Sequence, residues 1–254
     1  MKIEQIIKVI EQKYPKVNGW KDDFLGLQIE GKKEIKNVLL TLDFTNDFLQ
    51  EIKDYKIDLI ISHHPLFFGS KEDLIKKDSI LKQKHQLLLQ QKTNFYVIHT
   101  NIDFNLGSIP YYQAKILDCK NLKLIDNKQA ISCELENEIA FNDFVKIVRN
   151  KLNLLHDPFK TNLFNKKEMI KKIIIASGAA GDLIERVNKK DALYIIGEMK
   201  HHHWLYGSDH DLKILEIGHQ SEKIFVDIIE DFLLKNFAKD LSIFKIYENK
   251  YKNC

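Results

Sequence analysis

"KIIIASGAAGDLIERVNKKDALYIIGEMKHHHW" (Lys172–Trp204) decides the fold class. Ile173, Ile174 and Ile175 form an unbroken β-branched run, the composition of a strand covered on both faces. A glycine-bearing turn, a helical stretch and a second apolar strand follow, ending in polar residues. Downstream, "KILEIGHQSEKIFVDIIEDFLLKNF" gives a strand, a histidine and a long amphipathic helix. The first half of the chain uses the same grammar. "NVLLTLD" (Asn37–Asp43) is a strand, and Thr45 can cap a helix that places Phe48, Leu49, Ile52 and Tyr55 on one face. In "DLIISHHPLFFG" (Asp58–Gly69) a short strand through Leu59, Ile60 and Ile61 stops before Pro65. A helical region through "LLLQQK" leads to the strand of "FYVIHTNIDFN". At the start of the chain, Ile3, Ile6, Ile7 and Ile10 recur at helical spacing, and Pro15 closes that helix. Strands alternating with helices predict an α/β protein built of βαβ units. The expected architecture is two similar α/β domains, residues 1–125 and 126–254, with mostly parallel or mixed sheets flanked by helices.

The halves correspond at one constant shift. Sliding the chain by about 135 positions lays Val38, Leu39 and Leu40 on Ile173, Ile174 and Ile175. The same shift lays Ile60 and Ile61 on Ile195 and Ile196, and His63 on Glu198. The match is mostly apolar, so an internal duplication and convergence of two βαβ units both account for it. Either way, two such halves would leave a cleft between their strand ends, a usual place for a site.

Composition narrows the class. Of 254 residues, 44% are hydrophobic and 30% charged, as in ordinary globular proteins. A net charge of +3, from 39 basic and 36 acidic residues, is too small to imply a nucleic-acid or membrane-surface partner. No stretch approaches the ~18 apolar residues of a membrane span. "MKIEQIIKVIEQKYP" carries acidic residues between its apolar positions and does not read as a signal peptide. Cys119, Cys133 and Cys254 form no CxxC spacing and no even-numbered framework, which fits a reducing compartment. The expected location is cytoplasmic.

Four clusters stand at predicted strand exits: His63 with His64, His99 with Asp103, Glu198 with the run His201–His203, and His219 with Glu222. Strand exits are where α/β proteins collect reactive groups. Taken singly, each has a plainer reading. A histidine at a strand end is commonly a hydrogen-bonded structural group, Asp103 can form an Asx-turn, and Glu222 suits a helix start behind a Ser221 N-cap. Together they offer imidazole and carboxylate without thiolate, a set suited to Zn, Mn, Fe or Co, and two such ions can activate water. The histidine run reads as supporting or solvated, and Asp43 as a cap for the helix after it. "ASGAAGD" (Ala176–Asp182) lacks GxGxxG or a Walker lysine, so it reads as chain geometry rather than a phosphate cradle. No GxSxG or Cys–His nucleophile arrangement is present.

The motif order "GLQIEG … VLLTLDFT … DLIISHHPLFF … HTNID … IIGEMKHH … GHQSE" resembles the dinuclear metal-centre family of GTP cyclohydrolase 1 type 2 homologues, also named after NGG-one-interacting factor three. The resemblance runs from Gly26 to Glu222. It implies two α/β domains, two divalent metal ions (Zn, Mn or Fe), a small-molecule substrate such as a nucleotide, and assembly as a toroidal homohexamer. By motif, the implied metal ligands are His63 and His64 from "HHP", Asp103 from "HTNID", and His219 with Glu222 from "GHQSE". His99 and Glu198 match motif positions near the metals and are secondary candidates. The implied activity is metal-dependent hydrolysis, GTP giving formate and dihydroneopterin triphosphate. A phosphoesterase or a non-enzymatic metallochaperone or scaffold uses the same ligands. Two departures stand out. Only Gln220 and Ser221 separate His219 from Glu222, where the family has three residues, and the family's "WDNVGL" is altered to "DDFLGL", ending at Leu27.

Overall fold

The structure is a computed structural model that describes residues 1–104, 107–165, 167–238 and 240–247, apart from the Glu51 side chain. Cys254 lies outside these residues. In chain order the elements are α1 (Ile3–Lys13), β1 (Gly26–Ile29), β2 (Asn37–Thr41), α2 (Leu49–Asp54), β3 (Leu59–Ser62), α3 (Lys71–Lys77), α4 (Ser79–Gln91), β4 (Asn94–Val97) and α5 (Thr100–Asp103). There follow α6 (Ile109–Ile116), β5 (Lys120–Ile125), β6 (Ala130–Ala140), α7 (Phe141–Lys151), β7 (Lys160–Thr161), β8 (Met169–Ala176), α8 (Leu183–Val187), β9 (Ala192–Ile196), α9 (His201–Asp209), β10 (Lys213–Glu216), α10 (Ile224–Phe237) and β11 (Ser242–Ile246).

By packing, the chain forms two units, and they differ from a single cut after residue 125. The first comprises residues 1–102 with 225–247, the second residues 103–224. The tail belongs to the first unit because β11 pairs in parallel with β2, Ile243 opposite Val38.

The first unit holds a five-stranded sheet in the order β1-β4-β3-β2-β11. All neighbours are parallel except β1, which runs antiparallel to β4. Leu39, Ile60, Phe95 and Val97 line one face against Phe48, Ile52 and Leu88. On the opposite face the neighbouring residues Val38, Leu40, Ile61 and Tyr96 are buried as well. Successive strand residues face opposite sides, so burial of both sets requires a continuous apolar run rather than alternation. Helix α1 ends at Lys13 before Pro15 and buries Ile3, Ile6 and Ile10, as their spacing predicts. Glu11 on this helix accepts a hydrogen bond from Tyr96 on β4. Thr45 stands at the start of a short 3-10 turn, but its hydroxyl makes no capping bond, and Tyr55 remains half exposed on the Phe244 ring.

The second unit holds a six-stranded mixed sheet, β5-β6-β8-β9-β10-β7, in which β8, β9 and β10 are parallel. Its isoleucine run divides by parity. Ile173 and Ile175 pack with Leu193, Ile195, Phe144 and Val148, whereas Ile174 and Ala176 pack with Tyr194, Ile196, Leu183 and Ile184.

The two sheets share a topological motif. In each, three parallel strands stand in sequence order (β2, β3, β4; β8, β9, β10), with an antiparallel strand beside the third. The 135-residue shift carries the strands but not their register. Leu40 faces Ile61, whereas its counterpart Ile175 faces Ile195, one residue short of the counterpart of Ile61. Among the described residues, no helix is long and apolar enough to cross a membrane.

Candidate metal centre

In the first unit the chemistry gathers at the ends of three parallel strands. β3 ends at Ser62, leaving His63 and His64 immediately beyond it, and β4 ends at Val97, two residues before His99. Because the strand has ended, both members of the HHP pair can turn toward one side. His63, His64 and His99 each offer a ring nitrogen, all within 4.8 Å of one another. Ring centroids lie 4.8 Å apart for His63–His64, 5.1 Å for His63–His99 and 5.6 Å for His64–His99.

All three imidazoles are anchored through the same nitrogen. Nδ1 of His63 lies 2.9 Å from the Ile98 carbonyl oxygen. Nδ1 of His64 lies 3.0 Å from Asp43 Oδ1, and Nδ1 of His99 lies 2.9 Å from both carboxylate oxygens of Asp23. Carbonyl and carboxylate oxygens only accept, so the proton sits on Nδ1 and the lone pair on Nε2 in each ring. Carboxylate- or carbonyl-anchored histidines of this kind are the usual metal-ligand arrangement.

Asp43 and Asp23 therefore act at the cluster. Asp43, read from sequence as a helix cap, instead leaves β2 beside β3 and orients His64. Asp23 lies in the altered "DDFLGL" segment and is nearly buried. Burial works against its ionisation, but hydrogen bonds from His99, Thr100 and the Phe24 amide outweigh that effect and hold its carboxyl down at about 2. No local pattern ties Asp23 to His99, 76 residues away. For Asp43 a signal existed: a carboxylate at the exit of a strand adjoining the HHP strand.

The second unit presents carboxylates and one imidazole. Asp103 is the last residue of α5, and its carboxylate accepts the Ser177 hydroxyl at 3.1 Å. His219 and Glu222 share a 3-10 turn, His219–Lys223, which begins behind Gly218 at φ +87°. Ser221 is consequently not an N-cap: it is buried inside that turn. With about three residues per turn, 3-10 geometry eclipses positions i and i+3. Despite the shortened spacing, His219 Nε2 therefore lies 3.0 Å from Glu222 Oε2. Nδ1 of the same ring lies 2.9 Å from Glu198, the exposed carboxylate beyond β9. Glu198 thus plays toward His219 the part that Asp43 plays toward His64.

The Ala176–Asp182 turn shapes this group. Gly178 has φ +61°, and a Cβ there would lie 2.7 Å from Glu222 Oε1, so glycine lets the buried carboxylate approach the backbone. At Gly181 a Cβ would lie 2.2 Å from His203 Nδ1. The space beside both glycines is filled by protein groups, in keeping with a geometric role. His203 is buried on α9, whereas His201 and His202 are exposed.

The chain is similar to known proteins over nearly its whole length. A GTP cyclohydrolase 1 type 2 homolog of Ureaplasma parvum is 30% identical over 265 residues, covering 97% of this chain and 97% of its own. The crystal structure of the Staphylococcus aureus hypothetical protein SA1388 matches with a TM-score of 0.85 at 23% identity, over 100% of this chain and 99% of that one. A Bacillus cereus protein related to NIF3 matches with a TM-score of 0.87 at 16% identity, over 98% of both chains. The family model described as Duf34/NIF3 (NGG1p interacting factor 3) matches residues 1–252, and the chain belongs to that family.

Proposed function

We propose that the chain binds two divalent metal ions through His63, His64, Asp103, His219 and Glu222 and acts as a metal-dependent hydrolase. The observation that carries this reading is the common anchoring of the three imidazoles in the first unit, which commits each Nε2 to accepting. The donors are nitrogen and oxygen only, a set that fits Zn, Mn or Fe. When bound, such ions supply Lewis-acid polarisation and activation of water near neutral pH.

The remaining residues hold and orient. Asp43 fixes the ring of His64, and Glu198 fixes that of His219. His99, steadied by Asp23, is the residue we assign to proton transfer at Nε2, because the nearly buried Asp23 carboxylate engages its Nδ1 and fixes the ring. Gly178 keeps Glu222 in place.

For substrate, the relatives' name supports a nucleotide. With GTP, two waters would be consumed in opening the guanine ring at C8 and releasing that carbon as formate, and condensation of the rearranged ribose carbons with the freed nitrogen would return one water, giving dihydroneopterin triphosphate. The same membership supports a toroidal homohexamer, which light scattering would register as six times the 29.9 kDa chain mass. The test is elemental analysis of untagged protein followed by turnover. Protein loaded with Zn, Mn or Fe should release formate from GTP, and His64→Ala should lose both metal and turnover while keeping its circular dichroism. Phosphate released from phosphoesters without formate would reassign the chemistry. Exchangeable metal with neither product would make the protein a metal carrier or scaffold.

A further inference from the structure

Resting on the hydrolase reading, we infer that Phe68 is a stacking platform that holds a flat heteroaromatic ring of the substrate beside the histidine cluster. Phe68 differs from its neighbours in "HHPLFFG". Leu66 and Phe67 are buried in the first unit's core, whereas Phe68 is 59% exposed. Its ring stands 6.1 Å from His99 at an interplanar angle of 85°. A phenyl ring this exposed at the edge of an imidazole cluster adds little to the core and presents apolar surface to a ligand.

The backbone that carries it is tied down. Gln28 Oε1 accepts hydrogen bonds from the amides of Leu66 at 2.9 Å and Phe67 at 3.3 Å. Its Nε2 donates to the carbonyls of Phe67 at 3.2 Å and Phe24 at 3.3 Å. One side chain therefore fastens the loop beyond β3 to the segment carrying Asp23, the anchor of His99. Just past Phe68 the chain turns at Gly69, with φ +139°, a conformation that favours glycine. A Cβ there would meet only Leu74, at 3.7 Å, so the glycine serves the turn rather than a tight contact. Phe24, itself 38% exposed, sits on the fastened segment. A planar ring laid parallel on Phe68 adopts the same perpendicular attitude to the His99 ring.

Guanosine, which lacks phosphates, isolates the platform, and ribose is the non-aromatic control. Binding of both is measured by ligand-observed NMR titration of the full chain, metal-loaded and chelator-treated. Phe68→Ala should weaken guanosine binding about tenfold, in line with base–aromatic stacking of about 1–3 kcal/mol. Phe68→Tyr should restore it to within twofold, and Phe68→Leu, similar in bulk but without π-faces, should not. Metal content should be unchanged in all three variants. No guanosine binding by the wild type, equal binding by Phe68→Ala, or ribose binding as tight as guanosine would overturn the inference. Wild-type protein that binds guanosine but takes up no Zn, Mn or Fe would instead sink the hydrolase reading and leave the platform standing.

Discussion

Replacing Asp43 separates an orienting carboxylate from a helix cap. Its Oδ1 lies 3.0 Å from His64 Nδ1, and its side chain is about one quarter exposed. Positive charge gathered at the far nitrogen of that ring lies roughly 5 Å from the carboxylate. Coulomb's law then gives about 1 kcal/mol per unit charge at a bulk-water dielectric and about 3 kcal/mol at an effective dielectric of 20. Partial exposure places the interaction inside that range, so removing the charge should weaken metal binding roughly tenfold, within the 10–100-fold known for such partners. Asp43→Asn keeps an acceptor for Nδ1–H and should lose about tenfold. Asp43→Ala removes the acceptor as well, frees the tautomer and should approach 100-fold. The assay is zinc competition against a chromophoric chelator, with His64→Ala as the lower limit. Stability should fall by only about 1 kcal/mol, since one hydrogen bond at a partly solvated position is lost. If Asp43→Ala binds zinc within twofold of the wild type while losing stability, the residue is a cap after all and the tautomer argument fails.

Other expectations follow from buried groups and glycines. Asp58 accepts hydrogen bonds from Lys32 Nζ at 2.6 Å and from the Lys36 and Asn37 amides at 3.0 Å. Burial opposes its ionisation, but those donors prevail and lower its pKa. The stability this adds is present above the usual carboxylate range and drains away as pH falls through the lowered value. Asp58→Asn should therefore cost about 2–3 kcal/mol at pH 7 and much less at pH 3, read from urea midpoints; an equal loss at both pH values contradicts the assignment. Gly178→Ala should cost about 2 kcal/mol through its positive φ and displacement of Glu222, with a parallel loss of metal affinity in the same chelator assay. Affinity unchanged in that variant would show that Glu222 does not depend on the turn. Gly181→Ala should destabilise by about 2–3 kcal/mol through contact with His203, and the double variant with His203→Ala should lose less than the sum of the two. Strict additivity of melting shifts would refute that contact.

Much of the fold was legible because both sheets bury two faces. Such strands read as continuous β-branched runs, and Ile173–Ile175 or Leu59–Ile61 can be little else between helical stretches. The unit boundary was not legible, since it depends on β11 returning to pair with β2, about 200 residues upstream, and nothing in "SIFKI" names its partner. For the site, strand exits revealed His63, His64, His99 and His219 because an apolar run ending in imidazole is a local pattern. Asp23 left no such trace: its role rests on a hydrogen bond across 76 residues. Ser221 misled for the opposite reason. Its local pattern matched an N-cap, but the 3-10 turn starts three residues earlier, at Gly218.

The shared strand motif bears on how such a ligand set can arise. One pair of equivalent exits carries different groups and another the same: His63 beyond β3 answers to Glu198 beyond β9, whereas His99 beyond β4 answers to the imidazole of His219 beyond β10. In the first unit a carboxylate from the β2 exit orients an imidazole from the β3 exit; in the second, a carboxylate from the β9 exit orients an imidazole from the β10 exit. The pairing of an oxygen anchor with a ring nitrogen is thus preserved while its place moves over by one strand. The one-residue difference in register between the β2–β3 and β8–β9 pairs accompanies this change. Because side chains alternate, a one-residue slip changes which exit residue faces a given side. Two sheets of one strand plan can in this way present an imidazole-rich group in one unit and a carboxylate-rich group in the other.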